Sequence, residues 1–462
     1  MKLRFLQHIY LISGLASSSI AVLAGSSVYA QESVEPEESV PSRTSLLFID
    51  RPVLVTEGVD PIIPLRRKAP PIDPESDPDF GQRMDSIRQY NSAVADIERD
   101  GGAWDSGLAE ELASLGRLQQ QQGDHSAAIE TLDRAIHVNR INSGLNNLEQ
   151  VPLVERLIQS HMALGNWEQV DTYTNYLFHV QQKAYGFDDP RFIPAIERLA
   201  TWNFQAFNIG YGDLRGIRLR ESLLLFNMAA RMVGLHFGKT DPRFVNFQKS
   251  IVNSSYLIGI NPELIMEIND PDNRNRQGKF AEKIHVQRTV ETSGFRSGER
   301  ALIEIATFYQ EQSENTYVLA EAITHLADWY LIFAENRDAL KRYKIAWDLL
   351  QDLENSEELT ERLFGKVVPV PLLTSSIEVP DALYWNKDGT EALNFDYADL
   401  VFDITSKGEV RNMEIISGEA EDNQMQLSKL RRLALSMRFR PLIVGGVPQG
   451  TIGHHFRYRY WY

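Results

Sequence analysis

Apolar residues and glycines recur along this chain at a spacing of forty-two residues, and that period constrains the fold more than any other feature. Leu115, Leu157 and Leu199 stand in register, as do Leu112, Val154 and Ile196, and Gly123 and Gly165. A second repeat sets Tyr185-Gly-Phe-Asp-Asp-Pro-Arg-Phe192 against Phe237-Gly-Lys-Thr-Asp-Pro-Arg-Phe244. Its spacing of fifty-two equals the same period with ten residues inserted, and the glycine-rich stretch 208–216 is the expected place for them. A unit of this length holds a pair of helices. One pair cannot bury its own apolar face, so successive pairs must stack into an array. In both copies the Asp-Pro dipeptide is expected to open the next helix, with Asp as N-cap and Pro as first helical residue.

Helical periodicity runs from about Gln82 to about Phe364. Within Ala320–Leu353, the residues Leu326-Ala327, Tyr330, Ala339, Tyr343 and Ala346 fall at regular intervals. Leu112, Leu115-Gly116, Gly123-Asp124, Ala128, Leu132 and Ala135 do so again. This pattern resembles the tetratricopeptide repeat, and the long unit resembles the extended repeats of kinesin light chain-like arrays. Small residues let two helix backbones approach, while Leu and Tyr fill the flanking groove. The resemblance implies a groove lined by first-helix positions and open to a protein or peptide partner. Here these are Glu110, Arg117, Gln120 and Gln121, then Glu155 and Gln159, then Glu321, Thr324 and Asp328. Trp167, Trp202, Trp329 and Trp347 are expected in the core. The polar stretch 261–279 reads as a solvated loop. Its acids and amides lack calcium-loop spacing, because Arg274 stands where a third ligand belongs.

The first thirty residues read as a cleaved signal peptide: Lys2 and Arg4, an apolar stretch diluted by serines, and small residues Val28 and Ala30 before the expected cut. Residues 31–80 hold nine of the twenty prolines and read as an acidic tether, in which 45–50 and 51–56 carry apolar runs able to pair or dock. The chain has no cysteine, which excludes disulfides, thiol catalysis and Cys-bound metals. Together with export, this points to the periplasm. A net charge of −16 disfavours nucleic acid as a partner. Against that balance, 428–462 carries seven basic residues and no acid, a basic patch at the C-terminal end.

Pro369, Pro371 and Pro380 mark a linker over 365–395, after which the pattern turns to strand alternation. Asp399–Ile404 and Val410–Ser417 flank a Ser-Lys-Gly turn, Leu427, Leu430, Ala434 and Met437 follow a helical period, and 452–462 alternates again. On that last strand Ile452, His454, Phe456, Tyr458 and Tyr460 share one face, and His455, Arg457, Arg459 and Trp461 the other. The β-β-α-β order resembles the TonB C-terminal domain. Met437-Arg-Phe-Arg-Pro441 and Gly445-Gly-Val-Pro448 carry that likeness, together with the glycine turn at Gly408. The resemblance implies partner capture by strand addition along the last strand, at Ile452, His454, Phe456, Arg457, Tyr458, Arg459 and Tyr460, and it implies no catalytic residue.

The expected fold is therefore mainly α. A tetratricopeptide-type solenoid spans 81–364, and a small α+β, TonB-like domain follows over 396–462. No catalytic motif stands in its required context, and His454 and His455 point to opposite faces of a strand, so neither a metal nor another cofactor is expected. The expected function is a non-catalytic periplasmic scaffold that binds cell-envelope proteins, with no mature membrane span. The alternatives are an energy-transduction component that retains its N-terminal anchor, and a cell-envelope enzyme or accessory factor.

Overall fold

A computed structural model of the chain describes residues 48–49, 52–55, 77–212, 214–270, 294–312, 315–371, 395–416 and 424–461. The expected signal peptide, most of the expected tether, the Arg274 stretch and most of the stretch 365–395 read as linker lie outside the described residues. Those that are described fall within one structural unit, Thr44–Tyr462.

The periodic residues build antiparallel helix pairs behind a leading helix, α1 (Phe80–Gly101). α2 (Leu108–Gln121) pairs with α3 (His125–Ser143), α4 (Val151–Ala163) with α5 (Trp167–Tyr185), and α6 (Ile193–Ile209) with α7 (Arg215–His236). α8 (Pro242–Ile260) is followed by the short α9 (Pro262–Asn269) and pairs with α10 (Gly294–Gln312). α11 (Thr316–Ile332) and α12 (Asn336–Gln351) form the last pair, and α13 (Ser356–Phe364) closes the array. The chain is mainly helical, and the array is a succession of stacked antiparallel helix pairs.

The forty-two-residue register is a burial register. Leu112, Val154 and Ile196, and Leu115, Leu157 and Leu199, occupy matching core positions on α2, α4 and α6. Gly116 lets α2 and α3 pack closely: a β-carbon there would stand 2.8 Å from Leu132 Cγ. Gly123 turns between them at φ +82°, a conformation glycine adopts freely. Asp124 then caps α3, accepting from the Ala127 N–H at 3.0 Å.

In the second Asp-Pro-Arg-Phe copy Asp241 caps α8 and Pro242 opens it, as expected, whereas in the first Asp189 and Pro190 open a short 3₁₀ turn, Pro190–Phe192, that runs into α6. Asp189 accepts from the Arg191 N–H at 2.8 Å, and Asp241 from the Arg243 N–H at 2.9 Å. Each Arg returns its guanidinium to the same carboxylate, which lowers Asp189 to about 2. Each also lies over the aromatic ring that opens its repeat, Arg191 over Tyr185 at 4.8 Å and Arg243 over Phe237 at 4.2 Å. Phe192 and Phe244 are buried beneath. The local charge is thus tied down while the phenylalanine seats the next helix. The ten-residue insertion is not confined to 208–216: α6 has 17 residues against 13 in α4, and α7 has 22 against 19 in α5. The expected loop over 261–279 is corrected at its start. Pro262 opens α9, whose Leu264 and Ile268 are buried, and Glu267 accepts from the Ile217 N–H at 3.1 Å.

The terminal domain is built on β4 (Phe395–Ile404), β5 (Val410–Ile415), α14 (Gln424–Ser436) and the last strand, with three short strands between those two: β6 (Arg438–Arg440), β7 (Leu442–Val444) and β8 (Val447–Gln449). The last strand is β9 (Thr451–Trp461). Upstream, β1 (Phe48–Ile49) and β2 (Val53–Leu54) come from the tether, and β3 (Val368–Val370) lies in the stretch read as linker. The main sheet runs β1-β9-β4-β5, with β2 also on β9, and every pairing is antiparallel. β3 pairs with β6, and β7 with β8. Leu427, Leu430 and Ala434 of α14 cover one face of the sheet together with Phe402, Phe439, Phe456 and Tyr458.

Gly116→Val is expected to force Leu132 aside and destabilise the array by about 1–3 kcal/mol. A urea midpoint equal to that of the native chain would contradict this account of the α2–α3 contact.

Candidate partner-binding surfaces

The first helices of successive pairs are tied to one another by polar side chains. The Gln120 amide donates to the Arg156 carbonyl at 2.6 Å and to Ser160 Oγ at 2.8 Å, which joins α2 to α4. Glu155 pairs with Arg198, whose other guanidinium nitrogen reaches Gln181 at 3.1 Å, which joins α4 to α6. Gln120 and Glu155 were expected to face a partner, and they instead brace neighbouring repeats. Glu110, Arg117, Gln121 and Gln159 remain exposed on α2 and α4. Four of the six residues assigned to these two units thus keep the accessibility that a binding face requires.

The late unit departs from expectation. Thr324 and Asp328 are corrected from groove residues to buried ones, with 0% and 1% exposure, and only Glu321 remains half-buried. Asp328 is covered by the terminal domain, whose β3 and β6 lie against α11. Strand alternation along β6 sends Phe439 into the sheet core and Arg440 the opposite way, into the array. Arg440 grips Asp328 through both carboxylate oxygens, at 2.9 and 2.5 Å, and donates to the Leu363 carbonyl at 3.1 Å. The Tyr343 hydroxyl donates to the same Asp328 at 2.8 Å. Burial pushes that hydroxyl well up, and the carboxylate adds to the shift, so it stays a donor. Thr324 satisfies its hydroxyl on the Ala320 carbonyl at 2.7 Å.

Around this pair the contact is apolar and close. Ile443 of β7 joins the array core, Gly446 sits against Lys344 and Trp347 of α12, and Gly408 sits against Leu331 of α11. Gly408, Arg440 and Gly446, all within the motifs that carry the TonB resemblance, therefore hold the domain to the array. The sequence carried no signal for the Asp328–Arg440 pair, because 112 residues separate its members.

The last strand is corrected in the same way. At Phe456, Arg457 and Tyr460 it is not a free edge, because β4 pairs with it on one side and β1 or β2 on the other. Phe456, Tyr458, Arg459 and Tyr460 are buried, and Arg457 is clamped on Asp399 at 2.8 and 2.9 Å. His454 contacts Thr451 at 2.5 Å, and only Ile452, at 83%, stands well exposed. The basic patch is also reduced, since Arg440, Arg457 and Arg459 turn inward. The tryptophans match their core assignment: Trp202 and Trp329 are buried, while Trp167 and Trp347 pack against the core.

One surface escaped the sequence reading. Trp104, half exposed, tilts against His137 at 5.1 Å over a cavity of about 480 Å³ that Asp133, Arg140 and Tyr173 also line. Among the described residues no group of His, Asp and Glu is placed to hold a metal ion, and no helix is long and apolar enough to cross a membrane.

No protein-family model and no curated protein matches the sequence. Among solved structures the chain is similar to two crystal structures of a kinesin light chain with nearly identical TPR-like repeats from Podosopora anserina, one of them a single-residue variant. Each is 14% identical with a TM-score of 0.33, covering 44–45% of this chain and 90% of that one. It is also similar to BtubC (BKLC) from P. vanneervenii, at 10% identity and a TM-score of 0.36, over 66% of this chain and 99% of that one. The repeat architecture stands on the hairpins described above.

Arg440→Met is expected to leave Asp328 buried without its counter-charge and to cost about 3–5 kcal/mol. Arg440→Met combined with Asp328→Leu should recover most of that loss, and failure to recover any in denaturant titrations would contradict the pairing account.

Proposed function

We propose that this chain is a non-catalytic protein-interaction scaffold of the bacterial periplasm, whose partner lies along the first-helix face of the early hairpins. The observation that carries the reading is the asymmetry of that face. At α11 it is occupied by the chain's own β3 and β6, whereas Glu110, Arg117, Gln121 and Gln159 stand open on α2 and α4. Charged and amide side chains held on mutually braced helices suit an extended peptide or a protein surface, which they meet without first having to order themselves. The Gln120 and Glu155 struts supply that bracing.

The terminal domain reads as a TonB-like module kept for binding. The order β4-β5-α14-β9, the glycine turn at Gly408, and the passage from α14 through Arg438–Arg440 to the Gly445-Gly446 turn support this. Export supplies the periplasmic setting, in line with a leader that ends at Ala30 and with the absence of cysteine.

Arg117→Glu combined with Gln159→Glu, both at exposed sites, is expected to reduce recovery of the bound partner from envelope extracts by about tenfold. Undiminished recovery would place the partner elsewhere. Mass spectrometry of the purified native protein is expected to find an N-terminus near Gln31, and a chain beginning at Met1 in the membrane fraction would favour the anchored transducer instead.

A further inference from the structure

Every neighbour of β9 is antiparallel, but the two sides are unequal. β4 matches it almost end to end, from Phe395 opposite Trp461 to Ile404 opposite Thr451. The other side is filled by two short pieces of the tether, with Phe48 opposite Trp461, Ile49 opposite Tyr460, Val53 opposite Arg457 and Leu54 opposite Phe456. The register differs by one residue between the two pieces, and Pro52, just before the second, has no N–H to give to a ladder. The Val55 N–H still reaches the His455 carbonyl at 2.8 Å. Leu54 packs on the terminal core, and Pro52 is buried.

We propose that the outer edge of β9 is a strand-acceptor site for an extended partner peptide with apolar residues on both sides of a proline, and that the tether pieces 48–49 and 52–55 are its tethered occupants. This rests on the strand-addition reading of the terminal domain. It adds the recognised pattern, and it adds a guard that a partner must displace.

Three features favour exchange over a permanent sheet strand. The guard pairs over two residues at a time, a length that is marginal by itself. It comes from the far end of the chain, with the whole array between it and β9, so it holds by tethering. Tethering supplies effective concentrations of order millimolar, which a well-matched free peptide overcomes. The opposite edge of the sheet is closed to pairing: on β5, Asn412 adopts φ +50°, the ladder to β4 slips, and Arg411 and Glu414 are exposed. Bulges and charges of this kind block strand addition. An incoming strand is therefore directed to β9.

The absence of cysteine from the chain makes the test direct. The probe is a fluorescein-labelled synthetic peptide with the sequence of residues 46–57, read by anisotropy against three full-length proteins. They are the native chain, an opened variant (Val53→Pro with Leu54→Asp), and a locked variant (Val55→Cys with His455→Cys) oxidised to a disulfide. The opened protein is expected to bind the peptide at least about tenfold more tightly than the native chain, because the tethered competitor is gone. The oxidised locked protein should not bind until it is reduced. Equal affinity for the native and opened proteins would overturn the guard while leaving strand addition standing. No binding to an opened protein that keeps the native far-UV circular dichroism would overturn both.

Discussion

A carboxylate and a guanidinium, each about 2% exposed, meet where the helical array ends, and the rest of the architecture is arranged around that meeting. Neither Asp328 nor Arg440 can stay charged in such a place alone, since an uncompensated buried charge costs several kcal/mol. The pair therefore acts as a condition on the fold. α11 must present Asp328 outward, β6 must cross it, and α13 must end with the Leu363 carbonyl turned toward Arg440. The Tyr343 hydroxyl completes the set from α12. Three consecutive helices and a distant strand are thereby fixed by one charge pair, and the terminal domain becomes the last element of the solenoid.

That docking decides which surfaces are left for other molecules. The first-helix face of the late repeat is filled from within the chain, so the open face is confined to the earlier repeats. There, Gln120 and Glu155 tie α2, α4 and α6 together and leave Arg117 and Gln159 outside. At the terminal sheet the same self-occupation takes the form of strand pairing, because the tether completes an edge that the distant C-terminal strand exposes. Both would-be sites are occupied by this chain, one by a charged pair in a buried contact and the other by a few backbone hydrogen bonds. The first is costly to undo and the second is not, which separates a structural joint from an exchangeable one.

The parts that were legible in the sequence are those with local causes. The Leu115, Leu157 and Leu199 register was visible because helix burial repeats with the unit. The Asp-Pro-Arg-Phe turns were visible because an N-cap acts within three residues. The apolar runs at 45–50 and 51–56 were recognised as able to pair, but nothing in them named β9 as the partner. Asp328 was placed in the groove because its repeat position normally faces one, and no local pattern announces that Arg440 will cover it. α9 was read as loop because eight residues with two buried apolar positions do not rise above a polar neighbourhood.

The sequence by itself determined the repeat, the turns that cap its helices, the strand-rich end and the charges available for pairing, because each of these follows from periodicity or from contacts a few residues apart. Only the tertiary structure decided which polar residues face solvent. Accessibility depends on what other parts of the chain cover, and here the covering pieces lie 112 residues from Asp328 and at the opposite end of the chain from β9. Arg117 and Asp328 hold the same position in their repeats. One is open to a partner and the other is sealed by an arginine, and burial of charge made that difference.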